Sequence, residues 1–185
     1  MIIIKDLIKD VVQSVSADLT AELQVYDPLI TGVHYMAGHP LEITQRLTER
    51  GNDNVLKFSK YPLVGLLMDI QEQHGQQIGY FNVRLNLIIA RATASDLIVD
   101  QRYDKNFKPV LYPIYEAFIN KLVTFSYGKY KPFNNSSVQE LRHDKYDRVF
   151  WGKESFMGNT SNYFKDYIDA IEIRNLELSV NLKNC

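Results

Sequence analysis

The chain has 185 residues, 45% of them hydrophobic, which is enough to bury one sizeable core and predicts a single domain over 1–185. Lys and Arg total 21 against 22 Asp and Glu, a net charge of −1, so the molecule lacks the strong positive field of a nonspecific nucleic-acid binder. The one cysteine, Cys185, excludes an intrachain disulfide framework and a cysteine-rich zinc site, in keeping with synthesis in a reducing cytoplasm.

Charges at Lys5, Asp6, Lys9 and Asp10 interrupt the first apolar residues, so the N-terminus does not read as a secretion signal. No apolar run approaches the roughly 18 to 20 residues needed to cross a bilayer, and no membrane contact is expected. Ile4, Leu7, Ile8, Val11, Val12, Val15, Leu19 and Leu23 recur at helical spacing and predict an amphipathic helix. Asp27-Pro28 should stop it, because proline cannot continue the hydrogen-bond ladder. A short extended piece over Gly32 to Met36 and a turn at Gly38-His39-Pro40 follow. Leu41 to Arg50 fits strand or helix equally well.

Phe58 to Ile70 reads as a kinked strand or a strand pair, with the apolar phase changing near Pro62 and a bulge or bend expected there. Gln71 to Gly79 has hairpin-loop chemistry. Phe81, Val83, Leu85, Leu87 and Ile89 alternate with Asn82, Arg84 and Asn86, and apolar residues on both parities beyond Leu87 place this strand at a sheet centre. A charged connection from Asp96 to Lys105 precedes a second helix marked by Phe107, Leu111, Ile114, Phe118, Leu122 and Phe125, with Pro109 and Pro113 in its first turns. A terminal strand runs over Tyr167 to Leu182, with a bulge or turn at Arg174-Asn175 where the parity changes. The fold class is therefore α+β, an antiparallel sheet flanked by an N-terminal helix and a second long helix.

Ser126 to Asp166 has weak periodicity and reads as a long loop or arm. Disorder is disfavoured, because the stretch from Phe125 to Tyr167 holds 11 of the chain's 22 aromatic residues. Tyr127, Tyr130, Phe133, Tyr146, Phe150, Trp151, Phe156, Tyr163 and Phe164 are the candidate subunit-contact residues. Lys121 to Lys153 also carries seven Lys or Arg against three Asp or Glu. Charge with aromatic interleaving fits a protein interface, or a module that stacks single-stranded nucleic acid.

No catalytic constellation stands out, and no enzyme activity or cofactor is expected. His34, His39, His74 and His143 show no metal-ligand spacing and read as structural or surface residues. Asp166, Asp169, Glu172 and Arg174 echo an acidic Mg²⁺-nuclease site, which defines the enzyme alternative. Asp169 and Glu172 are three apart, however, and a regular strand would point them to opposite faces. Arginine also stands where such a site uses a lysine.

GVHYMAGHPLEI, KYPLVGLLMDI, KPVLYPIYEAFINKL and HDKYDRVFWGKESFMGNTSNYFKDYIDAIEIRNLELSV, in this order, resemble neck proteins of tailed bacteriophages. The group is that of tail terminators and head-tail connectors, including the neck ring proteins of crAss-like phages. The resemblance implies a structural virion protein of the neck, assembled in the host cytoplasm as a homo-oligomeric ring. It further implies portal-side, neck and tail proteins as partners, with DNA passing nonspecifically through the lumen.

Overall fold

The structure is a computed structural model that describes residues 3–53, 59–74, 79–151 and 166–181. Its first element is helix α1 (Ile4–Tyr26), whose buried residues Ile4, Leu7, Ile8, Val11, Val12, Val15 and Leu23 form the stripe that the spacing predicts. Asp27 caps it, its N–H bonding to the Leu23 carbonyl at 3.0 Å. Strand β1 (His34–Gly38) follows. Helix α2 (Pro40–Asn52) resolves the ambiguous segment: His39 is the N-cap, accepting from the Leu41 N–H, and proline occupies the first turn, where a missing N–H costs nothing.

Strands β2 (Leu63–Gln73), β3 (Tyr80–Thr93), β4 (Asp144–Arg148) and β5 (Tyr167–Asn181) complete a five-stranded sheet of order β1-β2-β3-β5-β4. β1 runs parallel to β2 and every other pairing is antiparallel, so the sheet is mixed and mostly antiparallel. β3 is central, and Leu87 to Ala90 are buried on both of its faces. The bulge in β5 falls where the parity changes: Leu85 pairs Leu176 and Leu87 pairs Ile173, leaving Arg174 and Asn175 opposite Asn86, with Asn175 at φ 55°. The chain bends at Tyr61 and Pro62, immediately before β2, as the change of phase suggests, and β2 carries a further irregularity between Leu67 and Gln71. Phe58 is outside the described residues.

The second helix begins earlier than its spacing suggests and is not uniform. Helix α3 (Val99–Arg102) continues into a π-helical stretch (Tyr103–Leu111) and then into helix α4 (Tyr112–Thr124). The charged connection is thus helical from Val99. Pro109 explains the π geometry: in an α-helix its ring would collide with the Lys105 carbonyl, the acceptor four residues back. That carbonyl instead receives Arg91 Nη1 at 3.4 Å, and the Tyr112 N–H reaches back five residues to Phe107.

α1 and the 99–124 helix pack on one sheet face through Phe107, Ile114, Phe118 and Leu122 against Leu85, Leu87, Ile171 and Ile173. α2 covers part of the other face, where Ile43 and Leu47 meet Leu63, Ile88, Ile168 and Ala170. The sheet is thus a middle layer.

The expected loop over 126–166 is corrected for its first part. Tyr127 and Tyr130 form a bridge, Phe133 pairs with Val180, Val138–Glu140 is a 3-10 turn and β4 adds an edge strand. Periodicity misses this segment because it is pinned to the sheet by single residues, Phe133 and Leu141, rather than by a repeating face. Residues 152–165 lie outside the described part.

Candidate interaction surfaces

β4 is an edge strand whose sequence, Asp-Lys-Tyr-Asp-Arg, alternates between two environments. On the α2 side Tyr146 lies under two guanidiniums, with Arg148 Cζ 5.0 Å and Arg174 Cζ 5.4 Å from its ring centre. Both arginines bond one carboxylate, Glu172, at 3.2 and 2.8 Å. Tyr146 is 40% exposed, and a charged edge of this kind resists indiscriminate strand pairing. On the helix side Asp147 accepts Tyr112 Oη at 2.6 Å, Tyr103 Oη at 3.3 Å and Lys145 Nζ at 2.7 Å. Burial opposes ionisation of Asp147, but the lysine and the two hydroxyls outweigh it and hold its carboxyl below the ordinary value. Tyr112 moves the opposite way, raised by burial and then by its hydrogen bond to the Asp147 carboxylate and that group's charge.

A second cluster sits where the 99–124 helix crosses the sheet. Arg102 and Asp169 are 1% and 0% exposed, and Arg102 Nη1 donates to Asp169 Oδ1 at 2.9 Å. Its remaining nitrogens reach the Leu97 and Ala94 carbonyls, both at 2.8 Å. Asn106 Nδ2 bonds Asp169 Oδ2 at 2.7 Å and Thr93 Oγ1 at 2.9 Å. Phe150, in the left-handed region at φ 53°, lays its ring 3.7 Å from Arg102 Cζ and closes the cluster. A buried pair of this kind survives only when almost all of its hydrogen-bonding groups are met.

The aromatic candidates therefore disperse. Tyr127 donates to Asp10 and stacks on Tyr130 at 6.4 Å, while Tyr130 Oη reaches the Asn181 carbonyl at 2.7 Å. Phe133 is 3% exposed and belongs to the core, because its segment pairs with β5, so it is removed as a surface contact. Phe150 faces Arg102, and Trp151 packs against the α2-side core, its backbone N–H donating to the Ile168 carbonyl at 2.7 Å. Phe156, Tyr163 and Phe164 lie outside the described residues. Among the described candidates, Tyr127 and Tyr146 present the most surface.

The acidic alternative loses its geometry. Asp169 is buried on the helix side and bonded through both oxygens, while Glu172 points to the other face and is shared by two arginines. Among the described residues no three His, Cys, Asp or Glu side chains are grouped to hold a metal ion. Three of the basic residues of that segment are committed within the chain: Lys121 pairs with Asp18, Lys145 with Asp147 and Arg148 with Glu172. Among the described residues no helix is long and apolar enough to cross a membrane.

Sequence reasoning missed two surfaces. At the C-terminal end of α1, Val25, Tyr26 and Leu29 are exposed, as are Ile98 and Val99 at the start of α3. Of these, Tyr26 borders a groove of about 600 Å³ that is also lined by Arg91, Leu97, Asp104, Lys105 and Asn106 among others. On the opposite sheet face, exposed Met68 borders a cleft of about 690 Å³ that also involves Pro40, Leu67, Asn86, Glu172 and Arg174. The available signal was apolar residues off the helical stripe, Val25 and Tyr26, and an apolar pair inside a charged connection, Ile98-Val99. Comparison with known proteins gives no match, either to a protein-family model or to a curated sequence.

Proposed function

We propose that the chain is a non-enzymatic structural subunit of a bacteriophage neck, assembling head-to-tail into a ring that joins the portal side of the capsid to the tail. The observation that carries this reading is a pair of unlike surfaces on opposite sides of the sheet, one where exposed Tyr26 borders a groove with Arg91, Asp104 and Lys105, the other where exposed Met68 borders a cleft with Glu172 and Arg174. A ring closes by heterologous contacts, in which one patch of a subunit meets a different patch of the next, so a ring subunit needs two unlike surfaces. The phrase-by-phrase resemblance and the mostly antiparallel sheet between helices support the same reading. DNA traversing the lumen would require no base-reading surface.

Sedimentation velocity and negative-stain microscopy of the purified protein should show a closed oligomer, and mass spectrometry of purified virions should detect the chain. A strictly monomeric protein that is also absent from virions would sink the proposal.

A further inference from the structure

The edge strand β4 carries a charge pattern that is complementary to its own reverse. It pairs with β5 alone, so one row of its N–H and C=O groups faces outward. Its residues Asp144, Lys145, Tyr146, Asp147 and Arg148 read minus, plus, neutral, minus, plus. Laid antiparallel on a second copy about Tyr146, Asp144 stands opposite Arg148, Lys145 opposite Asp147 and Tyr146 opposite itself. Opposite charges and aromatic pairs are cross-strand combinations that stabilise a sheet. The nearest alternatives are worse. A slip of two residues, the smallest that keeps the faces in phase, sets Lys145 on Lys145 or Asp147 on Asp147, and a parallel in-register pairing sets each charge on its like.

The α2 side of this edge also has charge left to satisfy. Asp144 is exposed and accepts from Asn175 Nδ2 at 3.0 Å, an uncharged partner, and it pairs with no cation among the described residues. Arg148 reaches Glu172 at 3.2 Å, but Arg174 takes the same carboxylate at 2.8 Å, so two guanidiniums share one negative charge. The Asp144 carboxylate of a second copy supplies the missing one. Tyr146, between Asp144 and Arg148 on this side, is 40% exposed. On the helix side Lys145 and Asp147 already pair with each other at 2.7 Å, and a second copy extends them to a quartet of alternating sign. We propose that β4 pairs antiparallel with β4 of a second copy, joining two sheets into one about a two-fold axis at Tyr146. The charged edge excludes other strands and admits its own reverse. This contact is isologous, so it does not close a ring and stands independently of the head-to-tail contacts proposed above.

The test is self-association of the full chain by sedimentation velocity, with circular dichroism confirming each fold. Asp144→Lys and Arg148→Glu should each weaken it about tenfold, since each sets like charges opposite one another at two symmetric positions. An equimolar mixture of the two variants restores opposite charges at both positions and should recover the parent's association. Tyr146→Cys combined with Cys185→Ser should form a disulfide-linked dimer in oxidised glutathione. Asp144→Cys in the same background, four positions from its counterpart, should not. If Asp144→Lys associates as tightly as the parent, if the folded variants recover nothing on mixing, or if Tyr146→Cys crosslinks no faster than Asp144→Cys, the pairing is wrong. Closed rings formed equally well by Asp144→Lys would remove this contact and leave the ring reading standing.

Discussion

Asp169 shows how much one buried residue can be asked to hold. It answers the full charge of Arg102, and both are closed from water by Phe150 and the helix. Asp169→Asn keeps the shape and removes the counter-charge, so we expect a loss of about 3 to 5 kcal/mol in urea unfolding. A change below about 1 kcal/mol would mean that water already reaches the pair. His34 gives a pH signature of a different origin. Burial, and then the nearby Arg50 charge, lowers its folded-state value below the ordinary 6.5. The unfolded chain then takes up the proton first as pH falls, so stability from His34 is complete above about pH 6.5 and declines as pH drops toward the folded value. The thermal midpoint should fall between about pH 7.5 and pH 5, and His34→Gln should flatten that slope. An unchanged slope in the variant would assign it to other groups.

At the level of elements, the seat of α2 depends on a missing side chain. A Cβ at Gly65 would lie 2.8 Å from Ile88 Cγ1 and 3.6 Å from Ile43 Cδ1, inside the core that α2 makes with β2 and β3. Gly65→Ala should cost about 1 to 3 kcal/mol, with hydrogen-exchange protection lost first in residues 40–52. Uniform loss across the sheet would contradict this local account. The β5 bulge depends on Asn175 at φ 55°, which asparagine and glycine tolerate and β-branched residues do not. Asn175→Gly should be nearly neutral and Asn175→Val should cost roughly 1 to 2 kcal/mol by chemical denaturation. Much of this was legible in the sequence. The α1 stripe, the Asp27-Pro28 stop, the central β3 and the parity change at Arg174 are local patterns with one structural solution each. The identity of α2 was not, because only Ile43, Thr44 and Leu47 are buried and so short a set fits either period. The start of the 99–124 helix was hidden because its first turns are held by Arg102 on Asp169, a partner 67 positions away, rather than by an apolar stripe.

For the whole molecule, net charge −1 and the internal pairing of Lys121, Lys145 and Arg148 predict negligible retention of single-stranded DNA at about 150 mM salt. Tight binding with a steep salt dependence in a gel-shift titration would restore the nucleic-acid alternative. The candidate surfaces divide as the elements do. The aromatic content of the segment from Phe125 to Tyr167 was plain from composition, but which rings face outward was not. Phe133 went to the core, Phe150 to Arg102 and Tyr146 to the edge, because each destination depends on a strand or helix distant in the chain. By itself the sequence determined the α+β class and the central strand, since periodicity is a property of neighbouring residues. Only the tertiary structure decided that the suggestive carboxylates Asp169 and Glu172 are separated by the sheet and taken up by arginines, and that Tyr26, Leu29 and Met68 remain uncovered. Partnering and exposure depend on what else packs nearby, and no local pattern carries that information.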